Sequence, residues 1–428
     1  MHTFMDDLEW RGMIDHATPD LALQLQKEVT VGYVGLDPTG PSLHVGNLVT
    51  LMLLKHLQRA GHQARVLVGG ATGMIGDPSG KSAERNLLGE EELRYNQECI
   101  GRQVERLLDC SSGPDGVAML NNLAWFKDLD LLTFLREVGK HFSLSYLLAK
   151  DAVKSRLAQG ISFTEFAYQL LQGYDFYYLY TTEGVKLQMG GDDQWGNIVS
   201  GLELIRRKAG GRAFALTTPL ITRADGRKFG KSEEGSNVWL DPAMTSPYAF
   251  YQFWLNVTDE EAARLVRVLT LLERDVIDGL EKAHQAAPHK RVLQKALAKE
   301  LTSMVHSVAE YTRAARATEL LFGQATLADL EALSEQDLLT ILGEVPQISM
   351  GREQLGQVAH VLELVTSGTQ GRIFSSQGAA RRMIQEGGLY VNRMRVVDPY
   401  QRPDWVLLRE RYLLIQKGKK HHYLITVV

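Results

Sequence analysis

Two short stretches, far apart in the chain, carry groups suited to the phosphates of a nucleotide. The first is Leu43-His44-Val45-Gly46-Asn47, which sets an imidazole and a carboxamide three residues apart where a helical pattern begins. Residues at that spacing project on one side of a first turn, and helix N-termini attract phosphate through their unpaired N–H groups. The second is Lys228-Phe229-Gly230-Lys231-Ser232, two lysines three apart around a glycine. Cations on a mobile stretch suit a departing pyrophosphate, because the charge they stabilise moves during the reaction. Gly76-Asp77-Pro78-Ser79-Gly80-Lys81-Ser82 and Gly226–Ser232 both imitate a P-loop, but that loop needs four residues between its glycines and each stretch has three. A third group is Tyr168, Gln172 and Asp175, at i, i+4 and i+7 on one face of an otherwise apolar helical segment. Buried polar groups without partners are costly, so this stripe either faces solvent or lines a pocket.

The elements that must position these groups follow from hydrophobic periodicity. Residues 29–36 read as a buried strand that Asp37-Pro38-Thr39-Gly40-Pro41-Ser42 breaks, with Ser42 as the expected cap of a helix over 45–60. A second strand at 64–68 makes a strand-helix-strand unit, which predicts parallel pairing. Residues 186–189 form a further strand, followed by a helix over 198–209. The stretch between, about 80–185, is mostly helical in pattern. Helices are expected at 262–272, 292–309 and 312–321, and short strands at 389–391 and 423–427. Hydrophobic content of 44% and charged content of 23% are those of an ordinary globular protein, and the length predicts about three domains. Cys99 and Cys110 show no disulfide framework or metal spacing. No apolar run is long enough for a membrane span, and the polar start Met1-His2-Thr3-Phe4-Met5-Asp6-Asp7 is no secretory signal, so a cytoplasmic location is expected. The net charge of −4 conceals a basic tail: residues 351–428 hold 12 Lys and Arg against 6 Asp and Glu. Such a tail points either to an anionic partner or to a solvated basic surface.

Taken together, the motifs carry a family resemblance. His44-Val45-Gly46-Asn47 resembles the H-I-G-H motif of class I aminoacyl-tRNA synthetases, and Lys228–Ser232 resembles their K-M-S-K-S loop. Tyr33-Val34-Gly35-Leu36-Asp37-Pro38-Thr39, Val68-Gly69-Gly70-Ala71-Thr72-Gly73, Gly76-Asp77-Pro78-Ser79, Gly160-Ile161-Ser162-Phe163-Thr164-Glu165-Phe166 and Asp193-Gln194-Trp195-Gly196-Asn197 narrow it to bacterial-type tyrosyl-tRNA synthetases. The resemblance implies that Tyr33 and Asp175 bind the phenolic hydroxyl of tyrosine, that Tyr168, Gln172 and Asp77 hold its ammonium, and that Gln194 lies by its carboxylate. For ATP it implies His44 and Thr39 at the phosphates, Gly46 at close approach, and Asp193 and Thr50 at the ribose, with Asp37 and Asn47 also in the nucleotide site. Lys81, Arg85, Lys228, Lys231 and Ser232 would hold pyrophosphate; of these, Lys228, Lys231 and Ser232, with His44 and Thr39, form the catalytic set. Two positions depart from the family: Asn47 replaces the second His of its motif, and Val34 stands where many relatives have a Cys at the ribose.

The tail from Phe374-Ser375-Ser376-Gln377-Gly378-Ala379-Ala380-Arg381-Arg382 through Gly387-Gly388-Leu389-Tyr390-Val391-Asn392 resembles an RNA-binding module shared with a ribosomal protein. On that resemblance Arg381, Arg382, Arg393, Arg395, Lys417, Lys419 and Lys420 meet tRNA phosphates, which position rather than specify. The expected fold is α/β: a Rossmann-like parallel-sheet catalytic domain at 1–244, with a helical insertion at about 80–185 and a mobile lysine loop at 223–235. An α-helical anticodon-side domain at 245–322, an acidic connector at 323–350 and a small α+β RNA-binding domain at 351–428 follow. The implied activity joins L-tyrosine to tRNA(Tyr) at the expense of ATP with Mg²⁺, in a homodimer with no tightly bound protein metal and no membrane association. Rivals are a tryptophanyl-tRNA synthetase and a non-catalytic synthetase-like RNA-binding or splicing protein. The hydroxyl-reading pair argues against the first and the intact lysines against the second.

Overall fold

The computed structural model describes residues 3–79, 88–108, 110, 116–148, 150, 153–154, 160–222, 229–230, 237–323, 326–343, 345–401, 406–418 and 421–428. It forms two compact units, one of residues 1–245 with 253–305 and the other of 246–252 with 306–428.

The first unit is built on a six-stranded sheet: β1 (His16–Ala17), β2 (Val31–Leu36), β3 (Gln63–Val68), β4 (Ala118–Asn121), β5 (Val185–Gly191) and β6 (Phe214–Thr218), in the spatial order β1-β6-β5-β2-β3-β4. All pairs are parallel except β1 with β6. From β2 the chain adds β3 and β4 on one side and β5 and β6 on the other. The strand order therefore reverses at β2, and ligands in such sheets bind beyond the carboxyl ends at that crevice. The helix Leu48–Arg59 buries Leu48, Leu51, Met52, Leu53, Leu54 and Leu57, which include the expected Leu48, Met52 and Leu53. It lies so close to β2 that a Cβ on Gly32 would meet Leu57 Cδ2 at 2.7 Å, so a larger residue there would have to displace the Leu57 side chain.

Several expected boundaries move for physical reasons. The stretch 80–185 is not all helix: Ala118–Asn121 pairs with β3 and completes the sheet. Ser42 does not cap the 45–60 helix. Its hydroxyl is taken by Gln103 Nε2 (3.0 Å) and the Asp241 N–H (3.1 Å), and the α-helix starts at Leu48 after a 3-10 turn. The 198–209 helix starts earlier, at Trp195, and widens to a π-turn at Ile205–Ala209. The 292–309 helix stops at Val305, and Ser307, whose side chain accepts the Glu310 N–H, starts another over Val308–Phe322.

The second unit carries β7 (Gln347–Met350), β8 (Leu389–Val391), β9 (Met394–Arg395), β10 (Tyr412–Lys417) and β11 (His421–Val427), in the order β7-β11-β10-β8-β9. Successive β10 side chains alternate between two cores. Leu413 and Ile415 join Leu362, Phe374 and Ile384, while Tyr412 and Leu414 join Leu321, Leu330, Leu338 and Leu342. The stretch 323–350 is therefore more than a connector: it supplies Leu330, Leu338 and Leu342 to one core and β7 to the sheet edge. The expected helical domain 245–322 is divided between the two units.

Candidate active site

The Tyr168, Gln172 and Asp175 stripe lies on the helix Phe163–Thr182, which Ser162 caps by accepting the Glu165 N–H. Tyr168 and Asp175 are both buried, so the stripe faces inward and meets partners rather than water. The Tyr168 hydroxyl donates to Asp37 Oδ2 at 2.7 Å, and the Thr72 hydroxyl donates to Asp37 Oδ1 at 2.7 Å. Asn122 Nδ2 donates both to Thr72 Oγ1 and to Asp175 Oδ2, each at 3.0 Å. Trp125 Nε1 donates to Asp175 Oδ1 at 2.9 Å. Gly69 belongs to this arrangement: a Cβ there would meet Asp37 Oδ1 at 1.9 Å, so only glycine lets that carboxylate lie against the backbone.

Burial pushes the Asp175 carboxyl up to about 8, against the hydrogen bonds from Asn122 and Trp125 that pull it down, and the Asp37 charge adds to the rise. Tyr33 is fully buried in β2 beside it. Burial first, and then the Asp175 charge, hold the Tyr33 phenol well above its ordinary value. Its hydroxyl has no hydrogen-bond partner among the described residues. Buried hydroxyls are nearly always paired, so one aimed at a ligand-binding position is the natural exception. Tyr33 and Asp175 together offer a donor and an acceptor, which is what a phenolic hydroxyl requires.

A second chain of polar groups runs alongside. Gln172 Nε2 donates to Gln194 Oε1 at 3.2 Å, and Gln194 Nε2 donates to Asp77 Oδ2 at 2.6 Å. Asn197 Nδ2 reaches Asp77 Oδ1 at 3.3 Å and Ser79 Oγ at 3.1 Å, while the Ser79 N–H donates to Asp77 Oδ1 at 2.9 Å. All six residues expected at the amino acid thus occupy one site, together with Asp37, which had been expected at the nucleotide. Thr72, Asn122, Trp125, Ser79 and Asn197 join them. Thr72, Ser79 and Asn197 stand in segments that carried the family resemblance. Asn122 and Trp125 follow β4, the strand concealed in the supposed helical insertion.

The segment after β2 leads to the His44 turn. His44 caps its own turn: its Nδ1 accepts the Gly46 N–H at 3.0 Å, and its backbone N–H donates to Asn47 Oδ1 at 3.0 Å. This reciprocal capping box gives Asn47 a definite task, because a carboxamide oxygen accepts that hydrogen without titrating. Gly46 is crowded by His44 itself, whose ring a Cβ would meet at 2.8 Å. The Thr50 hydroxyl bonds back to the Asn47 carbonyl at 2.9 Å. Thr39 is exposed on the turn after β2, and Asp193 is half-buried in the 3-10 turn Asp192–Gln194. Val34 is buried in β2 beside Val66 and Met189.

The second motif comes to the first through backbone bonds. The Val45 N–H donates to Val238 O (3.0 Å), the Leu240 N–H to Leu43 O (2.8 Å) and the Val238 N–H to Gly230 O (2.8 Å). Gly230 packs so tightly that a Cβ would lie 2.9 Å from Val45 Cγ2. The glycine between the two lysines therefore rests on the His44 turn. Lys81, Arg85, Lys228, Lys231 and Ser232 lie outside the described residues. Elsewhere, the exposed Asp15, His16 and Asp192 bring ligand atoms within 4.8 Å of one another at the sheet edge, and none of them belongs to the expected site.

Comparison with known proteins gives the family. Residues 25–323 match the model of class I tRNA synthetases (W and Y), and residues 337–425 match a tyrosine–tRNA ligase SYY-like C-terminal domain. A tyrosine–tRNA ligase of Amoebophilus asiaticus is 60% identical over 100% of both chains, and one of Cytophaga hutchinsonii is 53% identical over 99% of both. The chain belongs to the class I tyrosine–tRNA ligase family. A C-terminally truncated mitochondrial tyrosyl-tRNA synthetase of Aspergillus nidulans has the same fold, with a TM-score of 0.69 and 28% identity over 75% of this chain and 95% of that one.

The basic residues expected at the tRNA of this family fall into two groups in the second unit. Arg393 is turned to structural use. Its Nη1 donates to Leu321 O (2.9 Å) and Gln416 Oε1 (3.1 Å), and its Nη2 bonds Gly323 O, so it satisfies carbonyls at the end of the 308–322 helix. Lys417 donates to Ile373 O at 2.6 Å with its ammonium 4.4 Å from the Phe374 ring centroid. Arg381, Arg382 and Arg395 are exposed. Lys419 and Lys420 lie outside the described residues.

Proposed function

We propose that this protein activates L-tyrosine with ATP and then esterifies tRNA(Tyr). In the first step a tyrosine carboxylate oxygen attacks the α-phosphorus, the bond to the β-phosphate oxygen breaks, and pyrophosphate leaves as tyrosyl-adenylate forms. In the second, a ribose hydroxyl at the 3′ end of the tRNA attacks the acyl carbon and AMP leaves. Mg²⁺ bound to the ATP would supply charge neutralisation at its phosphates.

The observation that carries the reading is the buried pair of Tyr33, the third residue of β2, and Asp175, which Asn122 and Trp125 brace. It accepts a phenol. Phenylalanine in the same place leaves both groups unpaired, which is the basis on which tyrosine–tRNA ligases serve as the usual illustration of selection without editing. Tryptophan offers a single N–H donor where the pair requires a donor and an acceptor. Asp77, Gln172 and Gln194 form the polar wall that receives the ammonium and carboxylate, with Tyr168 holding Asp37 beside it. His44 presents its capped turn to the phosphates, and Thr39, Gly46, Asn47, Thr50 and Asp193 surround the nucleotide. Lys228, Lys231 and Ser232, with Lys81 and Arg85, follow the pyrophosphate. The scheme calls on no side chain as nucleophile or general base; catalysis is positioning together with charge stabilisation at the α-phosphate.

The insertion presents Leu131 (69% exposed), Leu132 (76%), Leu135 (47%) and Leu144 (63%), an apolar surface suited to the homodimer. The catalytic role falls to 1–244, anticodon-side contacts to 245–322, and RNA binding to 351–428 through Arg381, Arg382 and Arg395, with the setting cytoplasmic. Amino-acid-dependent exchange of pyrophosphate with ATP tests the reading. Tyrosine supports exchange and phenylalanine and tryptophan do not; exchange with tryptophan, or with no amino acid, overturns it.

A further inference from the structure

Outside the catalytic site, the second unit holds one aromatic side chain outward on a fixed frame. Tyr400 is 56% exposed in the loop between β9 and β10. A single exposed aromatic is ordinary; a pinned one is not. Asp398 Oδ1 accepts the Tyr400 N–H at 2.9 Å, and the Gln401 N–H donates to Asp398 O at 3.2 Å. The Leu362 N–H donates to Pro399 O at 3.2 Å and the Val361 N–H to Gln401 O at 3.4 Å, tying the loop to the short helix Val361–Leu364. The ring itself is oriented from two sides. His360 stands edge-on at 5.3 Å and 89°, and Arg381 Nη2 donates to the Tyr400 hydroxyl at 2.7 Å with its guanidinium 5.6 Å from the ring centroid. His360 Nδ1 accepts the Glu363 N–H at 3.1 Å, so the neutral imidazole carries its hydrogen on Nε2. The carboxylates in this neighbourhood are partly occupied by backbone: Asp398 with Tyr400, and Glu363 Oε2 with the Ala359 N–H at 2.8 Å.

We propose that Tyr400 is a stacking platform for one unpaired base of the bound tRNA, with Arg381 beside it for that nucleotide's phosphate. Single-stranded RNA is recognised where an aromatic face receives a base and a neighbouring cation meets the backbone. The frame keeps the ring in place before RNA arrives, so little side-chain entropy remains to be lost on binding. Stacking tolerates any base, so this contact adds affinity and registers the RNA on the module without reading its sequence. The proposal rests on the RNA-binding reading of residues 351–428.

The test titrates transcribed tRNA(Tyr) against the full-length protein, with aminoacylation rates expressed per site titrated by tyrosyl-adenylate formation. Tyr400→Ala is expected to raise KM for tRNA about 5- to 100-fold. Tyr400→Phe and Tyr400→Trp keep the platform and stay within about threefold of the parent, in keeping with tolerance of any aromatic face. The salt dependence of binding in Tyr400→Ala keeps its slope, whereas Arg382→Ala lowers the slope by about one unit. If Tyr400→Ala binds like the parent while Arg382→Ala shifts the slope, the stacking proposal falls and the RNA face stands. If neither variant changes anything, the RNA-binding reading falls with it. A Tyr400→Phe as damaged as Tyr400→Ala also overturns stacking, because it assigns the effect to the hydroxyl.

Discussion

The buried polar site around Asp175 and the basic face of the second unit offer their proposed ligands opposite kinds of contact. In the pocket, polar groups are buried and each holds the next: Tyr168 on Asp37, Thr72 on Asp37, Asn122 on Thr72 and Asp175. Removing one member leaves others desolvated and unpaired, so energy is concentrated in single atoms. On the basic face, the cations that remain available, Arg381, Arg382 and Arg395, are exposed. Arg393 and Lys417, which the sequence places with them, are occupied by carbonyls of their own unit. Exposed cations contribute in small, salt-screened amounts. On the proposed reading, selection of a small molecule is built into side-chain geometry and affinity for RNA is spread over a surface.

This contrast sets the size of the expected effects. The largest belongs to Asp175→Ala, which strips the acceptor from Asn122 Nδ2 and Trp125 Nε1. Its kcat/KM for tyrosine should fall by about 10²- to 10³-fold, with little dependence on salt. A salt-dependent loss would place Asp175 in the same class as the exposed cations and dissolve the contrast.

Lys231→Ala comes next. Steady-state and single-turnover activation should slow by about 10²-fold while equilibrium tyrosine binding holds. Equal losses in both would deny the lysine a role confined to the transition state.

Arg393→Ala and Arg382→Ala divide the basic face. Leaving the Leu321 and Gly323 carbonyls without their donor should destabilise the second unit by about 1–3 kcal/mol, read by denaturant unfolding. Arg382→Ala should instead weaken tRNA binding by only a few fold, in keeping with exposed cations. If Arg393→Ala unfolds no more easily than Arg382→Ala, the division between structural and available cations is wrong.

A further effect is one of pH. Asp175 has a folded pKa of about 8, above its unfolded value, so folding favours its protonated form. Its contribution to stability is complete below the unfolded pKa and is lost as pH rises through about 8, at no more than about 1.4 kcal/mol per pH unit. The melting temperature of ligand-free Asp175→Asn, relative to the parent, should therefore climb between pH 5 and pH 8. A flat difference would show that the carboxyl is not desolvated as described.

What the sequence made legible follows the same divide. The stripe at 168, 172 and 175 was readable because helical spacing alone places three polar groups on one face. The pairing of His44 with the Lys228–Ser232 stretch was an expectation of the same kind, and the described part of that stretch, Gly230, packs against Val45. Asn122 and Trp125 were not, because the strand at 118–121 is only four residues long and lies between helical patterns, although Gly113-Pro114-Asp115-Gly116 just before it is a turn signal. Ser42 misled for a related reason. Serine is a favoured cap, yet its hydroxyl is claimed by Gln103 and Asp241, residues 61 and 199 positions away, and no local rule anticipates that. His44 took the cap, and Asn47, which departs from the family motif, became intelligible only through its bond to the His44 N–H. Arg393 shows the limit for charges: composition counts a guanidinium without revealing that carbonyls of the same chain already hold it.

The most direct test of the central claim, that a buried hydrogen-bonding pair selects the phenol, is the ratio of kcat/KM for tyrosine to that for phenylalanine in pyrophosphate exchange. It is measured in the parent and in Tyr33→Phe and Asp175→Ala. The pair predicts a ratio of about 10⁴–10⁵ in the parent, a magnitude borrowed from this family, with a collapse of at least tenfold in each variant. A ratio unchanged by either substitution would contradict it.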